Sequence, residues 1–524
     1  MRVKGGFCFI MKKILIISTV LMTMVVFVTA QQPISSGGYI KNLNAPALGI
    51  TSSTVILLWD DIFEQDLADD SYSVNAGSYD IYQDGKKIAS TKQHTCTVKN
   101  LLPNHTYSFS VFMSENRENK FPDKNSIKVT TRQAGKVVNI KQTGATGDGI
   151  TQDTKAIQKA INLCEEGGTV LVPAGKYLTG PLVLKSNMTL EIEKGGLLQL
   201  ISFDEYKKLS EKPGSLITGT NVHHVVITGE GVIDATGETW WPHFPDGIDR
   251  VDGIGRPFVL QFTSGSDILV QGITIQDSPR FNNVLHNVDR IIYSDVKFLK
   301  YSTVPGRNGD ALDIYSSRNV LIVGCIYGNQ DDSIVIKGNP IEGKFNEYIT
   351  ILDCNFDGNA APGAHPLGFA CGSESNVKHV IMKNCIFIDA ASIANIKTNR
   401  SKLNTFAEDI RIENITYINT KHKDEIWNRA PISIDQFYYG AEGDGPLVRQ
   451  PLTPETPVFR DIHFRNIKII NPVGRGIYVS GFAELPVNRV SFVNVIVKSR
   501  DGVNIQNVNN ILMQSVKIEV CDSK

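Results

Sequence analysis

A short pattern recurs along residues 134–524, and it limits the fold more than any other feature of the sequence. In each copy a small or polar residue precedes an apolar residue, any residue and a second apolar residue. The copies begin at Gly272, Asp295, Gly324, Asp353, Asn384, Asn414, Asn466 and Asn494, in steps of 23, 29, 29, 31, 30, 52 and 28 residues. Short strands at such steps are typical of a β-solenoid, whose coils bury their apolar faces against each other. The 52-residue step predicts either two coils or one coil with a long loop.

Acidic residues enter this repeat at one place. The segment 310–314 (Asp-Ala-Leu-Asp-Ile) aligns with 332–336 (Asp-Ser-Ile-Val-Ile) at an offset of 22 residues, which is close to one coil. Equivalent positions of neighbouring coils lie about 4.8 Å apart. Asp310 and Asp332 are therefore predicted to lie on adjacent coils of one face, with Asp331 beside them.

This cluster of carboxylates favours acid–base chemistry. Three crowded carboxylates cannot all ionise easily, so the pKa of at least one is expected to rise. An acid with a raised pKa can protonate a leaving oxygen while ionised neighbours activate water, as glycoside hydrolysis requires. Lys397, twelve residues after Cys385 as Lys337 is after Cys325, adds a cation to the same face. Clustered carboxylates also suit calcium or a solvated edge, and spacing alone leaves these alternatives open.

Composition limits the partners and the architecture. The 53 basic and 54 acidic residues leave a net charge of -1, without the basic excess that nucleic acid binding requires. A chain of 524 residues exceeds one ordinary core, so two domains or a repeat array are expected. Seven of the eight cysteines follow residue 30, and they match no disulfide or zinc framework. We expect most of them to be buried as small apolar residues.

The first thirty residues predict export. Met11-Lys12-Lys13 is basic, residues 14–28 are apolar, and Val28-Thr29-Ala30 resembles a cleavage site, so residues 1–30 are predicted to be a signal peptide. A membrane anchor is the alternative, although the apolar run is short for a span. No later stretch is long and apolar enough to cross a membrane. The expected location is the periplasm or the outside of a bacterial cell.

Residues 40–133 carry a different pattern of about seven short strands separated by turns. Strands of this number and length predict a β-sandwich. The early Trp59 and the Leu-x-Pro-x-x-x-Tyr-x-Phe pattern at 101–109 resemble a fibronectin type III module. The predicted role is a spacer or packing partner, with carbohydrate binding as the alternative. A helix is predicted at 153–164, where it would cap the open end of the solenoid.

Three motifs around the acids resemble glycoside hydrolase family 28, the polygalacturonases and their relatives. Residues 308–313 resemble the family's Asn-Thr-Asp-Gly-x-Asp motif, 329–332 its Asp-Asp motif, and 395–397 its Arg-Ile-Lys motif. Residues 144–149, 172–180 and 229–234 resemble the family's opening coils. The resemblance covers about residues 134–524 and implies an all-β fold, a right-handed parallel β-helix preceded by the small β-sandwich.

The resemblance also implies roles for individual residues. Asp331 would be the general acid, while Asp310 and Asp332 would hold and deprotonate the attacking water, with inversion of the anomeric centre. Lys397 would bind the sugar carboxylate, and Tyr438 matches a subsite tyrosine. Asn308 is predicted to bind substrate with them. The implied enzyme uses no cofactor and no metal, acts on pectic polysaccharide, and is expected to be a monomer.

The sequence departs from the family motifs at three positions. The Gly-His-Gly motif is represented only by His365, which either bends into the site or is an ordinary loop histidine. Asn395 replaces the arginine of Arg-Ile-Lys, so Arg400 is predicted to supply the missing cation. Gly309 replaces the threonine. These changes keep rhamnogalacturonan open as an alternative to homogalacturonan.

The sequence also leaves other functions open, and it does not decide whether two further residues line the groove. A calcium-dependent pectate lyase and a non-catalytic glycan-binding solenoid are the alternatives from other classes. Arg280 and His286 lie on the coil before the acids, where they could line the groove or be structural.

Overall fold

The structure is a computed structural model that describes residues 40–61, 77–114, 126–209, 214–245, 248–338, 345–372, 376–420, 430–438, 444–471 and 473–521. The predicted signal peptide, residues 1–30, lies outside these ranges. Across the ranges given, no helix has the length and apolarity needed to cross a membrane.

The N-terminal part folds into two small antiparallel sheets. One sheet has the order Ile40–Asn44, Val55–Asp61, Thr95–Val98; the other has the order Lys86–Thr91, Tyr79–Gln83, Thr106–Met113, Ser126–Thr130. The strand Thr106–Met113 buries alternate residues, as its period-two pattern predicts. Its Phe109 shares one hydrophobic core with Leu57 of the other sheet. The two sheets therefore form the predicted β-sandwich.

The rest of the chain winds into a parallel β-helix with three rows of strands. The first row contains Val137–Asn139, Gly168–Val172, Met188–Ile192, His223–Gly229, Ser266–Gln271, Asp289–Ser294, Arg318–Val323 and Asn346–Leu352. The second row contains Asp148–Gln152, Gly175–Thr179, Gly196–Leu200, Val232–Asp234, Thr274–Gln276, Lys297–Leu299, Ile326–Gly328 and Asn355–Asp357. In later coils one long strand serves both rows: Asn376–Ile388, Phe406–Ile418, Val458–Asn471, Val487–Ser499 and Val508–Val520. The fold predicted from the repeat is confirmed.

The third row carries the acids, and its strands form a separate parallel sheet. They are Leu182–Val183, Ser215–Thr220, Phe258–Thr263, Asn283–His286, Leu312–Tyr315, Ile334–Lys337, Phe369–Cys371, Ala394–Lys397, Ile432–Asp435, Ile477–Ser480 and Val503–Gln506. Two short pairs lie outside the rows: Arg250–Val251 with Ile254–Gly255, and Gln330–Asp331 with His365–Pro366. The helices are Thr154–Leu163 and Phe203–Lys207, with 3-10 turns at Ala47–Gly49, Ile140–Thr143, Gly237–Thr239 and Trp241–His243.

The residues that open each sequence repeat form the corner between the first and second rows. All of them have a left-handed backbone: φ is 75° at Gly272, 55° at Asp295, 65° at Gly324, 53° at Asp353, 58° at Asn384, 54° at Asn414, 53° at Asn466 and 53° at Asn494. Gly, Asn and Asp tolerate this conformation best, which explains the composition of the repeat. The asparagines also form a ladder, because Asn414 donates to Asn384 at 2.9 Å and Asn466 donates to Asn414 at 2.8 Å.

The 52-residue step is a single coil with a long loop. Ile415 pairs directly with Ile467 across this step, so no further coil lies between them. The helix Thr154–Leu163 buries Ile157 and Ile161 against the first coils, at the end of the stack where a cap was predicted. The cysteines at 164, 325, 354, 371 and 385 are buried, as expected for most of them.

The sandwich contacts the β-helix at the same corner. The backbone N–H of His94 donates to Asp353 at 2.6 Å, and its Nδ1 lies 2.9 Å from Nδ2 of Asn384. Thr97 donates to Asp295 at 2.5 Å. These contacts join the sandwich to the corner between the first and second rows. Asp310, by contrast, lies just before a strand of the third row.

The ladder predicts a measurable difference between two substitutions of Asn414. Asn414→Gly loses the side-chain hydrogen bonds but keeps the left-handed backbone without strain, and each lost bond costs about 1 kcal/mol. Asn414→Ala loses the same bonds and adds the left-handed penalty, so it should be less stable than the glycine variant by about 1 kcal/mol. Urea unfolding of both variants measures this difference. Equal stability, or a more stable alanine variant, would contradict a role for the backbone corner.

Candidate active site

The acids meet because neighbouring third-row strands are paired at the predicted offset. Tyr315 is paired with Lys337, which is the 22-residue offset found in the sequence. Just before these strands, the backbone N–H of Ala311 donates to the carbonyl oxygen of Asp332 at 3.0 Å. Asp310 and Asp332 are both buried, on neighbouring coils.

A turn held by Asn329 presents Asp331. Nδ2 of Asn329 donates to the carbonyl oxygens of Gly309 at 3.0 Å, Asp331 at 3.0 Å and Asp332 at 3.2 Å. Asp331 has a φ of 107°, a strained value for a residue with a side chain. Its Oδ1 accepts a hydrogen bond from the N–H of Asp332 at 2.9 Å. The turn thus stores backbone strain at the residue predicted to be the general acid.

The close contact at Gly309 accounts for one departure from the family motif. Gly309 forms a β-bridge with Gln330. A Cβ atom on Gly309 would lie 2.4 Å from the carbonyl oxygen of Gln330, which no side chain can tolerate. Glycine is therefore required here by the close approach of the two coils.

Burial and mutual repulsion raise the pKa of two of the acids. Burial, followed by the charges of Asp310 and Asp332, raises the pKa of Asp331 to about 7. Burial also raises the pKa of Asp310, against the attraction of Lys337, and the charge of Asp332 adds to the rise. At neutral pH Asp331 is therefore balanced between its acid and its carboxylate forms.

Asp313 and Lys337 belong to the cluster, although neither the repeat nor the family motifs assigned them a role. Nζ of Lys337 lies 2.7 Å from Oδ2 of Asp310 and 2.5 Å from Oδ1 of Asp313. Burial and the charge of Asp310 raise the pKa of the fully buried Asp313 well above its ordinary value. The sequence signal was present, because Lys337 occupies the same position in its repeat as Lys397 does in its own.

Lys397 is brought to the acids from a later coil. Its Nζ lies 3.3 Å from Oδ2 of Asp332 and 4.7 Å from the centre of the Tyr438 ring. Oδ1 of Asp332 is buried and has no hydrogen-bond partner in the described part of the protein. Lys397, Tyr438 and Asp332 thus form one contiguous group.

The loop that carries His365 returns to the acids. The strand His365–Pro366 pairs with Gln330–Asp331, and the N–H of His365 donates to the carbonyl oxygen of Asn329 at 2.8 Å. The backbone of this loop therefore lies beside the turn that carries Asp331. Contact between His365 and substrate stays a prediction.

Asn308 and Arg400 are held by protein partners. Oδ1 of Asn308 accepts a hydrogen bond from Arg256 at 2.8 Å. The guanidinium of Arg400 donates to Glu484 at 3.0 Å, to Asp444, and to the carbonyl oxygen of Val448 at 2.8 Å. This geometry gives Arg400 a structural role, and substrate binding by Arg400 and Asn308 stays a prediction. No three His, Cys, Asp or Glu side chains among the described residues are arranged to hold a metal ion.

The Lys337 ion pairs predict a pH-dependent loss of stability in Lys337→Met. Without the cation, Asp310 and Asp313 are more costly to ionise, and removing one partner of a buried pair costs about 3 kcal/mol or more. A carboxyl whose folded pKa is raised loses stability as pH rises through that pKa. The loss should therefore be larger at pH 8 than at pH 4, as measured by chemical unfolding. Lys337→Met/Asp313→Asn should recover part of it, and an equal loss at both pH values would contradict this account.

Known sequences are similar to this chain over about half of its length or more. The profile of glycosyl hydrolases family 28 matches residues 164–522. A probable polygalacturonase from Arabidopsis thaliana is 29% identical over 320 residues, which cover 60% of this chain and 64% of that protein. Endo-xylogalacturonan hydrolase A from Aspergillus tubingensis is 29% identical over 262 residues, which cover 48% of this chain and 61% of that protein. The chain thus spans just under two thirds of the length of these relatives.

A solved structure shares the fold over nearly the whole chain. It is the family 28 exopolygalacturonase from Yersinia enterocolitica, which is 18% identical with a TM-score of 0.62. The superposition covers 91% of this chain and 96% of that one, and it shows the fold alone. The profile match extends over more than half of the chain and includes the acid cluster, so the protein belongs to glycosyl hydrolases family 28.

Proposed function

We propose that this protein is an exported enzyme that hydrolyses galacturonic-acid-containing glycosidic bonds in pectic polysaccharide, with inversion. The observation that carries the proposal is the meeting of Asp331 with the buried Asp310 and Asp332, where burial and the neighbouring charges raise the pKa of Asp331. One carboxyl that keeps its proton near neutral pH, next to buried carboxylates, is the arrangement that acid–base hydrolysis needs. Membership of family 28 supports the same reaction class.

In the proposed reaction Asp331 donates its proton to the glycosidic oxygen, and the bond from that oxygen to the anomeric carbon breaks. A water molecule held by Asp310 and Asp332 attacks the opposite face of the same carbon and gives its proton to one of them. One sugar leaves with a hydroxyl at the former bridge, and the other gains an inverted anomeric hydroxyl. Lys397, supported by the Tyr438 ring, binds the carboxylate of the sugar beside the cut bond.

Rhamnogalacturonan hydrolysis at the same site is the second candidate. It is favoured by Asn395, which stands where the family motif has an arginine and leaves that position without a cation. A neutral sugar would need no cation there. Pectate-lyase-like elimination is distinguished by its unsaturated product.

We further propose that residues 40–133 are a fibronectin type III-like module and that residues 134–524 are a monomeric catalytic domain. The strand orders of the two N-terminal sheets and their common core support the first assignment. The basic and apolar segments within residues 1–30 support export to the periplasm or the medium.

The proposal predicts that Asp331→Asn lowers kcat on polygalacturonate by about 100-fold to 10,000-fold, because the general acid is lost. In the unsubstituted enzyme kcat should fall as pH rises through about 7, since Asp331 then loses the proton that it must donate. New reducing ends measure both effects, and Asp289→Asn, a surface carboxylate on the first row, is the matched control.

Two readouts decide between the reaction classes. Hydrolysis should proceed in a chelator without ultraviolet absorbance from an unsaturated uronate. Proton NMR of the first products should show the inverted anomer. Calcium-dependent absorbance would instead establish elimination, and activity confined to rhamnogalacturonan would establish the second candidate.

A further inference from the structure

Arg280 is a cation beside the acids without an anionic partner. The segment that contains it lies against the Asp310 coil, because the N–H and Nδ2 of Asn282 donate to the carbonyl oxygen of Asp310 at 2.7 Å and 3.0 Å. Nε of Arg280 is buried and has no hydrogen-bond partner in the described ranges, and no described carboxylate forms an ion pair with this residue. By contrast, Arg290 and Arg400 are both paired with carboxylates.

Other positive charges surround this position. The pKa of Arg256 is lowered to about 10 by burial and by the charges of Arg307 and Arg280. Arg256 is already engaged, since it donates to the carbonyl oxygens of Pro279 at 3.1 Å and Arg307 at 2.8 Å. Clustered cations attract an anionic ligand, and Arg280 is the member whose guanidinium has no hydrogen bond or ion pair to the described residues.

Two aromatic rings hold Arg280 at this position. Phe258 and Phe281 are stacked with ring centres 5.6 Å apart and planes within 1° of parallel, and both are partly exposed. The guanidinium of Arg280 lies 4.9 Å from the centre of the Phe281 ring, and Lys337 lies 4.0 Å from the same centre. The rings thus hold the guanidinium of Arg280 by cation–π contact near Lys337, where its donors can meet the carboxylate of one uronic acid.

Strand order places Arg280 and Lys397 on opposite sides of the acids. The third row runs in the order Asn283–His286, Leu312–Tyr315, Ile334–Lys337, Phe369–Cys371, Ala394–Lys397. Arg280 precedes the first of these strands and Lys397 ends the fifth. Asp310 and Asp332 precede the second and third, so the acids lie between the two cations. Four strand spacings, roughly 19 Å, separate the two outer strands.

We propose that Arg280 is a specificity-determining residue that binds a second uronate carboxylate, across the cut bond from the carboxylate held by Lys397. This inference rests on the proposed function and narrows it. An enzyme that recognises two carboxylates at once requires an unesterified run of acidic sugars. Ester hydrolysis must then supply this substrate wherever the polymer carries methyl esters.

The test compares Arg280→Gln with the unsubstituted enzyme on polygalacturonate and on its methyl-esterified form. A charge-assisted hydrogen bond contributes about 1.5–3 kcal/mol, and each 1.4 kcal/mol corresponds to a factor of ten. KM for polygalacturonate should therefore rise about 10-fold to 100-fold, with a smaller change in kcat. The preference for the unesterified polymer should shrink. Arg290→Gln, at an exposed residue of the first row, is the matched control and should change neither KM nor the preference for the unesterified polymer.

A binding measurement separates failure of this inference from failure of the proposed function. Trigalacturonate is titrated calorimetrically into Asp331→Asn and into Asp331→Asn/Arg280→Gln, so no turnover is needed. Weaker binding in the double variant would support the Arg280 subsite even if the enzyme prefers another pectic bond. Equal binding, or an unchanged KM and ester preference in a normally folded Arg280→Gln, would overturn it. If the glutamine variant melts early, Arg280→Lys, which keeps the charge but loses the forked donor, is used instead.

Discussion

The left-handed corners from Gly272 to Asn494 hold each coil in register with the coil before it, and the acid cluster depends on that register. Asp310 and Asp332 are 22 residues apart in sequence and meet only because Tyr315 is paired with Lys337. A slip of one residue would turn every side chain of a third-row strand to the opposite face. The corner residues therefore influence the meeting of the acids only through strand pairing.

The two lysines of the site are distributed unequally among its four aspartates. Lys337 pairs with Asp310 and Asp313, and Lys397 pairs with Asp332, whereas Asp331 is left with repulsive neighbours. The same two lysines that allow carboxylates to be buried thus leave one acid able to keep its proton. Backbone strain at Asp331 adds to this arrangement, and both are costs that a more stable protein would avoid.

Periodicity was sufficient to predict the solenoid, the helix near residue 154 and the meeting of Asp310 with Asp332. It did not reveal that Lys337 pairs with Asp313, because ion pairing depends on side-chain direction as well as on coil position. The partners of Arg400 were also out of reach, since Asp444 and Glu484 come from distant parts of the chain. The position of His365 could not be predicted either, because it depends on the path of a loop that has no sequence repeat.

The coil that spans 52 residues has a consequence for how such proteins diversify. Its corner residues Asn414 and Asn466 are hydrogen-bonded as closely as those of neighbouring 30-residue and 28-residue coils, although the intervening segment is far longer. That segment also delivers Tyr438 to the side chain of Lys397. An insertion between two corners, made by evolution or by loop grafting, can therefore change what lies beside Lys397 while the strands and corners stay in place. Under the proposed function, such an insertion would alter specificity without any change to the core.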